Sequence, residues 1–326
     1  MPLRRITPLQ SLKKLENKTM QTIDSPYALG ATMYCPATHT DLYAVASGQK
    51  YPNCRSVVIC LEDAITEHEV EFALKNLSKL LTMFAQFGVP EKAPFLFIRP
   101  RHIQMTQVLS EWKNIGVVCG FVLPKFSLAS FEQWKQVVPA GLQMMPTLET
   151  AEFFDFGYIR EFRQALQKDQ SSILALRIGG NDLLSCLKLR RPKHLTIYET
   201  PLLNLINQLV GQLTPYGFML TAPVFEHYSN LGLLRQELDR DVLSGLVGKT
   251  AIHPSQIDVI HAAFQVDHAD YVEAQQIVQQ DAKAVFASRG SMVEPATHKQ
   301  WAIQILERSQ YYGVSQAEPT FILRNG

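Results

Sequence analysis

The chain has 326 residues, of which 46% are hydrophobic and 19% charged, and its formal net charge is +1 at pH 7. A chain of this size can bury a large core, and its near-neutral charge gives no electrostatic reason to expect a nucleic-acid partner. No uninterrupted apolar run approaches the ~18 residues of a membrane span, and the N-terminus lacks the apolar stretch of a signal peptide. We therefore predict a cytoplasmic protein without a membrane partner.

The first two dozen residues are basic and contain few apolar side chains. We predict that residues 1–24 form an N-terminal arm, either solvated or folded as a short capping helix. An organelle-targeting peptide is a less favoured alternative, because Glu16 and Asp24 interrupt its basic character.

Eight short apolar runs follow at intervals of roughly 25 to 45 residues, a spacing typical of repeated strand-helix units that close into a barrel. They cover residues 28–35, 56–61, 95–98, 120–123, 142–148, 173–178, 217–220 and 249–252. Short apolar runs bounded by polar residues or glycine fit buried parallel strands. We predict an α/β fold, a TIM (β/α)8 barrel over residues 25–265, with a doubly wound open sheet as the alternative.

The clearest helix between two of these runs begins at Thr66. Thr66 and Glu69 form a capping-box pattern, an apolar stripe continues to Phe87, and Gly88 then Pro90 stop the helix. Further helices are predicted at residues 131–138, 153–166, 202–213 and 231–238.

Residues 266–326 are predicted to form a C-terminal helical extension, acting as a lid or as an oligomer contact. Two helices are expected, at residues 271–285 and 295–306, joined by residues 288–291.

Charged residues follow several of the predicted strands. Since all strands of a parallel barrel end on one face, these residues should converge there. They are Glu62, Asp63, Arg99, Lys125, Glu149, Asp182 and His253.

Glu149 and Asp182 are the candidate metal ligands. Two oxygen donors without Cys or closely spaced His partners suit Mg²⁺ or Mn²⁺ and argue against zinc. Two carboxylates leave coordination positions open for water and for a 2-oxo acid, whose enolate the metal would stabilise.

Arg99 is the candidate ligand of a substrate carboxylate or enolate oxygen, because a guanidinium stays charged and offers a planar fork. An ion pair with Glu62 or Asp63 is the structural alternative, and the two roles are compatible. Glu62 and Asp63 are interpreted as groups that orient Arg99 or the metal's waters, with a direct role for either left open.

Two further rim residues have a structural and a functional interpretation. Lys125 contacts an anionic substrate or forms a salt bridge, and the salt bridge is slightly favoured. His253 is interpreted as a packing and hydrogen-bonding residue rather than a ligand.

The segments that carry these residues resemble the citrate lyase beta-subunit-like branch of the HpcH/HpaI aldolase family, which are metal-dependent carbon-carbon lyases on a TIM barrel. The similarity runs from about residue 28 to residue 306. It implies metal ligation by Glu149 and Asp182, and substrate binding by Arg99, with the backbone after Asp182 helping to hold the acid. We place Gly180 and Asn181, just before Asp182, in the substrate-binding set together with Arg99 and Lys125.

The same resemblance extends to the C-terminal extension. The segment Gly290-Ser291-Met292-Val293-Glu294-Pro295 is similar to a family segment that usually has Asp before the proline and delivers it to a neighbouring subunit's site. Glu294 is thus a candidate catalytic acid, and Arg99 and Asp63 are the other candidate catalytic residues. The resemblance also implies a homo-oligomer, a trimer or hexamer.

Two departures from the family pattern concern the substrate. The first strand leads into Pro36-Ala37-Thr38-His39 without the Pro-Gly turn and Arg that help to bind a coenzyme A thioester, so CoA recognition is not supported. Pro100-Arg101-His102 after Arg99 adds positive charge and indicates a more anionic substrate.

The sequence thus favours a Mg²⁺-dependent carbon-carbon lyase or aldolase that acts on a small 2-oxo or hydroxy acid through a metal-stabilised enolate. The alternative is a catalytically diverged barrel that binds a metal or ligand within a larger assembly. Phosphoryl transfer to an enol is disfavoured because no Gly-rich phosphate loop is visible.

Overall fold

The structure, a computed structural model, describes residues 23–316. Its main sheet has eight parallel strands in the order β7-β6-β5-β4-β3-β2-β1-β8, and a further parallel bridge between Ala222 and Lys249 joins the two ends. The predicted (β/α)8 barrel is therefore confirmed. The strands are β1 Ala31–Pro36, β2 Ser56–Cys60, β3 Phe95–Arg99, β4 Gly120–Leu123, β5 Gln143–Leu148, β6 Leu176–Ile178, β7 Leu220–Thr221 and β8 Lys249–Ala251.

Helices connect the strands and continue beyond the last one. No helix among residues 23–316 is long and apolar enough to cross a membrane. The helices are α1 Leu42–Ala46, α2 Val70–Phe87, α3 Ile103–Ser110, α4 Leu128–Val137, α5 Phe156–Leu166, α6 Gly180–Cys186, α7 Leu202–Leu213, α8 Leu231–Leu243, α9 Ile257–Ala263, α10 His268–Ile277 and α11 Pro295–Tyr312.

The start of α2 follows the capping box read from the sequence. The backbone N–H and the hydroxyl of Thr66 both donate to the carboxylate of Glu69, at 2.8 and 2.6 Å. A short 3-10 turn then leads into the helix. Gly88, with a φ of 82°, ends the helix in a backbone conformation that side chains rarely adopt. Its buried face packs on the barrel wall through Ala73, Leu77, Leu80, Leu81 and Phe84.

Most of the predicted N-terminal arm, residues 1–22, lies outside the described residues. Ile23, near the end of this segment, is packed against the barrel. Ile23 is 5% exposed, and its carbonyl accepts a hydrogen bond from the side chain of Gln143 at 3.0 Å. The chain is therefore already packed against the floor of the barrel before β1.

Alternation along each strand decides which side chains enter the barrel. In β5, Met145 packs in the lumen with Val58 and Phe97, whereas Met144 and Leu148 pack in the outer layer against the helices. Since side chains alternate along a strand, Thr147 and Glu149 continue the lumen row toward the mouth.

The C-terminal extension differs from the prediction in its middle. The helix predicted to reach residue 285 ends at Ile277, and residues 286–293 form an antiparallel hairpin of β9 Phe286–Ser288 and β10 Ser291–Val293. Arg289 and Gly290, at φ values of 50° and 78°, form its two-residue turn. Two successive left-handed residues suit the right-handed twist of a hairpin, a turn signal that we interpreted as a helix linker.

The second helix of the extension, α11, is longer than predicted and ends on the barrel. The hydroxyl of Tyr312 donates to the carbonyl of Val247 at 3.0 Å, and its ring stacks on Phe264. Because Val247 precedes β8, this end of α11 packs at the amino ends of the strands, opposite the strand ends that carry the charged residues.

A fully buried ionic network ties β8 to α8. Lys249 contacts Glu237 at 2.9 Å and Asp241 at 2.8 Å, and Glu237 also pairs with Arg191 at 2.8 Å. The hydroxyl of Tyr198 donates to Asp241 at 2.6 Å. Every charge has a partner of opposite sign, the condition under which buried ions are tolerated.

The first prediction concerns His261, whose Nε2 accepts a hydrogen bond from the backbone N–H of Ala31 at 3.0 Å. Burial, assisted by the nearby charge of Arg55, lowers the pKa of His261 to about 4. The unfolded chain takes up a proton on this residue below about pH 6.5 and the folded chain only near pH 4, so the contribution of His261 to stability falls as the pH drops through this window. We expect this contribution to fall by about 2 kcal/mol between pH 7 and pH 4.5, measured as the change in the difference between the urea-unfolding free energies of the wild type and His261→Gln.

The variant His261→Gln keeps an acceptor for Ala31 but does not titrate, so its unfolding free energy should increase relative to that of the wild type as the pH falls from 7 to 4.5. The exposed His268→Gln is the matched control and should follow the wild type. Equal slopes for wild type and His261→Gln would contradict the prediction.

Candidate active site

A cavity of about 420 Å³ opens at the carboxyl ends of the strands. Six of the side chains and glycines singled out in the sequence line it together, although they come from four separate segments of the chain. They are Asp63, Arg99, Glu149, Gly180, Asn181 and Asp182.

Arg99, the last residue of β3, is held between two buried carboxylates. Its Nη2 lies 2.7 Å from Glu62 and 3.3 Å from Glu149, and 3.6 Å from Asp63 at the cavity mouth. Burial disfavours the charged guanidinium, but the carboxylates of Glu149 and Glu62 outweigh it and raise the pKa of Arg99. The ion pair with Glu62 and Asp63 that we weighed as an alternative is therefore present, and Glu149 adds a third carboxylate.

Glu149 is 3% exposed and follows β5. Its carboxylate accepts hydrogen bonds from Nη2 of Arg99 and, at 2.6 Å, from the backbone N–H of Lys125. Lys125 has a φ of 45°, an uncommon conformation for a residue with a side chain. Burial raises the pKa of Glu149 to about 7, although the charge of Arg99 opposes the shift.

The side chain of Lys125 forms the salt bridge that the sequence slightly favoured. Its Nζ lies 2.7 Å from Glu62, 3.8 Å from Asp63 and 3.9 Å from Asp182. Partial removal from water, reinforced by Glu62, raises the pKa of Asp63 to about 6. For Glu62, burial is outweighed by Arg99, which lowers its pKa.

Gly179 and Gly180 allow the start of α6 to approach the neighbouring side chains closely. A Cβ atom on Gly179 would lie 2.4 Å from Cβ and 2.7 Å from Oε2 of Glu149. A Cβ atom on Gly180 would lie 2.8 Å from Ile197 and from Pro223. The glycine pair thus brings Asp182, in the first turn of α6, into the cavity that Glu149 lines.

The side-chain amide of Asn181 donates to Glu226 at 2.9 Å, a partner that the sequence did not indicate. His253 does not line the cavity. Its ring stacks on Tyr228, and its Nδ1 accepts a hydrogen bond from the backbone N–H of Ser255 at 3.2 Å, so it has the packing and capping contacts expected of it.

Glu294, the residue before α11, is also absent from the residues that line the cavity. Its carboxylate accepts a hydrogen bond from the hydroxyl of Thr297 at 3.1 Å. The delivery of Glu294 to a neighbouring subunit stays a prediction.

Sequence reasoning missed the lumen residues below the rim. Tyr34, Thr147, Arg177 and Thr250 line the cavity with the acidic residues. Strand alternation could have identified Arg177. It lies two residues after the lumen residue Ala175 and two before Gly179, so all three face the same side of the strand.

The residues present fit a hard divalent cation with an incomplete protein shell. Across residues 23–316, no three His, Cys, Asp or Glu side chains are arranged as a metal cage. Glu149 and Asp182 supply oxygen donors, and a site with two carboxylates that leaves the remaining positions to water and substrate is the arrangement that Mg²⁺ favours.

The second prediction tests the close approach at Gly179. Gly179→Ala places a methyl group against Glu149, so the strand or the carboxylate must shift, and we expect a loss of about 1–3 kcal/mol in unfolding free energy. Gly211→Ala in α7 is the matched control, because no atom lies within 4 Å of its added Cβ. It should leave stability unchanged or raise it by up to about 1 kcal/mol, the usual gain from Gly to Ala inside a helix. Equal stabilities of the two variants, measured by urea denaturation, would contradict the steric argument.

Known proteins share this fold at low sequence identity. CitE from Mycobacterium tuberculosis, in complex with magnesium, acetoacetate and coenzyme A, is 19% identical with a TM-score of 0.63, over 87% of this chain and 99% of that chain. A citrate lyase from Burkholderia xenovorans is 15% identical with a TM-score of 0.70, over 91% and 96% of the two chains. RipC from Yersinia pestis is 19% identical with a TM-score of 0.57, over 76% and 99%. No curated protein sequence matches significantly.

A family match covers most of the chain. Residues 23–314 match the family described as carbon-carbon bond lyase of the TIM-barrel fold. This agrees with the observed barrel and with the resemblance found in the sequence motifs. The chain belongs to this family of carbon-carbon bond lyases.

Proposed function

We propose that this lyase acts on a small 2-oxo or hydroxy acid in a Mg²⁺-dependent reaction that passes through an enolate. The observation that carries the proposal is the meeting of Glu149, Asp182 and Arg99 in one cavity. Two carboxylates beside a buried guanidinium can bind a cation and an anionic substrate side by side.

The size of the cavity supports a small substrate. At about 420 Å³ it lies toward the lower end of the ~300–1,000 Å³ found for ligand pockets. The acetoacetate bound by the mycobacterial CitE is an acid of this size class. The segment after β1, Ala37-Thr38-His39, carries no Arg, so we propose a reaction that does not require a CoA thioester.

Glu149 and Asp182 would hold the divalent cation, Mg²⁺ or Mn²⁺. The backbone N–H of Lys125 fixes one oxygen of Glu149, and Nζ of Lys125 lies 3.9 Å from the carboxylate of Asp182. A bound cation would supply positive charge beside the substrate oxygen on which negative charge develops.

Arg99 binds the substrate carboxylate or the developing enolate oxygen in this proposal. Its Nη2 is occupied by Glu62 and Glu149, but its Nε is buried without a hydrogen-bond partner among residues 23–316. A fixed donor in a site that excludes water stabilises developing charge more than it would in solution. Glu62 acts through Arg99 by fixing its position.

A proton must reach the enolate carbon after the carbon-carbon bond breaks. Asp63 lines the cavity, and its pKa near 6 leaves a protonated fraction close to neutral pH. Glu294 is the second candidate acid, supplied by a neighbouring subunit of a homo-oligomer, a trimer or hexamer. Lys125, Gly180 and Asn181 complete the proposed substrate contacts. The cytoplasmic location stays a prediction.

The third prediction tests the metal ligands. Glu149→Gln and Asp182→Asn each remove one negative charge from the site, so Mg²⁺ affinity measured by calorimetry should fall at least about ten-fold. Mg²⁺-dependent deuterium exchange into pyruvate or oxaloacetate should be lost in both variants, while circular dichroism shows an intact fold.

Glu152→Gln is the matched control, because Glu152 is an exposed acid three residues after Glu149. It should keep wild-type affinity and exchange. Full exchange in Glu149→Gln or Asp182→Asn would refute the assignment. Mg²⁺ binding by the wild type without exchange would favour the diverged ligand-binding barrel.

The fourth prediction tests whether Glu294 serves a neighbouring subunit. Glu294→Gln and Glu149→Gln should each be nearly inactive alone. Mixed oligomers, prepared by unfolding and refolding the two variants together, should regain activity because some sites then combine an intact Glu149 with an intact Glu294. If oligomers shown by mass spectrometry to contain both variants regain no activity, the delivery of Glu294 to a neighbouring subunit is contradicted.

A further inference from the structure

Arg177 is a buried cation for which the structure shows no counter-ion. It lies in β6, is 2% exposed and lines the cavity. Its Nη2 donates to the hydroxyl of Thr250 at 2.6 Å, and its guanidinium lies 5.5 Å from the ring centre of Tyr34. Among residues 23–316 it pairs with no carboxylate.

The other strongly buried arginines in the same barrel are neutralised. Arg99 contacts Glu62 and Glu149, and Arg191 contacts Glu237 at 2.8 Å. An uncompensated buried charge costs several kcal/mol, so a protein retains one where a ligand supplies the opposite charge. Arg177 is therefore placed to receive an anion from the cavity.

Two unpartnered hydroxyl groups flank Arg177. Thr147 on β5 and Thr221 on β7 are its register partners on either side. Both are buried, at 3% and 2% exposure, and the Oγ1 atom of each lacks a hydrogen-bond partner within the described residues. Arg177 and Thr147 line the cavity together, and Nη1 of Arg177 lies 3.8 Å from the sulfur of Met145. The guanidinium and the Thr147 hydroxyl are donors suited to the oxygens of a carboxylate or a phosphoryl group.

Arg177 lies one step below the proposed metal ligands. It precedes Gly179 by two residues, a rise of about 7 Å along a strand, and Gly179 abuts Glu149. One small molecule could therefore reach from the metal ligands and Arg99 at the mouth to Arg177 in the lumen.

We infer that Arg177, with Thr147, binds a second anionic group of the substrate. The substrate class is then a short dianion, with a metal-binding 2-oxo carboxylate at one end and a carboxylate or phosphoryl group at the other. The identity of the first end rests on the proposed function, whereas the anion site itself does not.

Arg101 and His102, which we expected to add positive charge near the substrate, do not contribute to this anion site. Arg101 donates to the carbonyl of Ile65 at 2.9 Å, and His102 caps the start of α3. Neither residue lines the cavity, whereas Arg177 does. Arg177 is therefore the residue that would bind the additional negative charge of a more anionic substrate.

The fifth prediction uses ligands that differ only at the far end. Calorimetry with Mg²⁺ compares 2-oxobutanoate, oxaloacetate and phosphonopyruvate, which carry a methyl, a carboxylate and a phosphonate at the same carbon. The wild type should bind at least one dianion about ten-fold or more tighter than 2-oxobutanoate, the usual effect of a charge-assisted hydrogen bond. The dianion with the larger ratio identifies the second group as carboxylate or phosphoryl.

Three variants isolate the guanidinium. In Arg177→Met, the dianion that the wild type prefers should bind no more than about three-fold tighter than 2-oxobutanoate. The affinity for 2-oxobutanoate itself should be unchanged, because this ligand lacks the second anionic group. Arg177→Lys, which keeps the charge without the fork, should give an intermediate ratio. Arg163→Met is the matched control, since Arg163 also stacks on a tyrosine, Tyr216, but outside the cavity.

Melting temperature tests the anion site without the metal. Malonate and inorganic phosphate, added without Mg²⁺, should raise the melting temperature of the wild type and of Arg163→Met but not of Arg177→Met. Without ligand, Arg177→Met should melt at or above the wild-type temperature, because an unpaired buried charge has been removed. A purely structural Arg177 predicts the opposite, a lower melting temperature.

The outcomes separate the two proposals. A wild-type affinity ratio near one, or an unchanged ratio in Arg177→Met, overturns the second-anion site. Failure of all three 2-oxo acids to bind with Mg²⁺ counts against the proposed function, and the metal-free melting experiment then decides the anion site on its own.

Discussion

The guanidinium of Arg99 between Glu62 and Glu149 is the interaction on which the rest of the site depends. Two carboxylates that are each less than 5% exposed could not both stay ionised in the lumen of a barrel without a cation between them. The same contact fixes Glu149 where the backbone of Lys125 can donate to it. A single ion cluster therefore positions residues from β2, β3 and β5 and the turn after β4.

The lumen of the barrel is divided along its axis. Its lower part is closed by apolar side chains such as Val58, Phe97 and Met145. Above them, the same alternation brings Thr147, Arg177 and finally Glu149 inward, so the upper part is polar and open to the cavity. Negative charge gathers at the mouth and an unpaired positive charge lies below it.

The family match establishes the barrel and the class of carbon-carbon bond lyase, whereas metal binding by Glu149 and Asp182 is a proposal. Solved relatives with identities of only 15–19% share this fold, because the fold needs only apolar runs of the correct period. The C-terminal extension is anchored by Tyr312 at the amino ends of the strands, and Glu294 lies outside the cavity of its own chain. The proposed catalytic use of Glu294 therefore requires a second subunit.

The sequence alone determined the eight strands, the capping box of α2 and the gathering of acidic residues at one rim, because each follows from local periodicity and from the common direction of parallel strands. Only the tertiary structure revealed that Glu149 joins the ion pair of Arg99, across 50 residues, and that Arg177 donates to Thr250, across 73. The hairpin at residues 286–293 was missed although its turn residues are local. Strand alternation was sufficient to place Arg177 in the lumen, although we did not single it out from the sequence. Only the closed barrel revealed that Arg177 has no carboxylate partner within residues 23–316. Local patterns fix which way a side chain faces, whereas its partners depend on how distant strands are brought together.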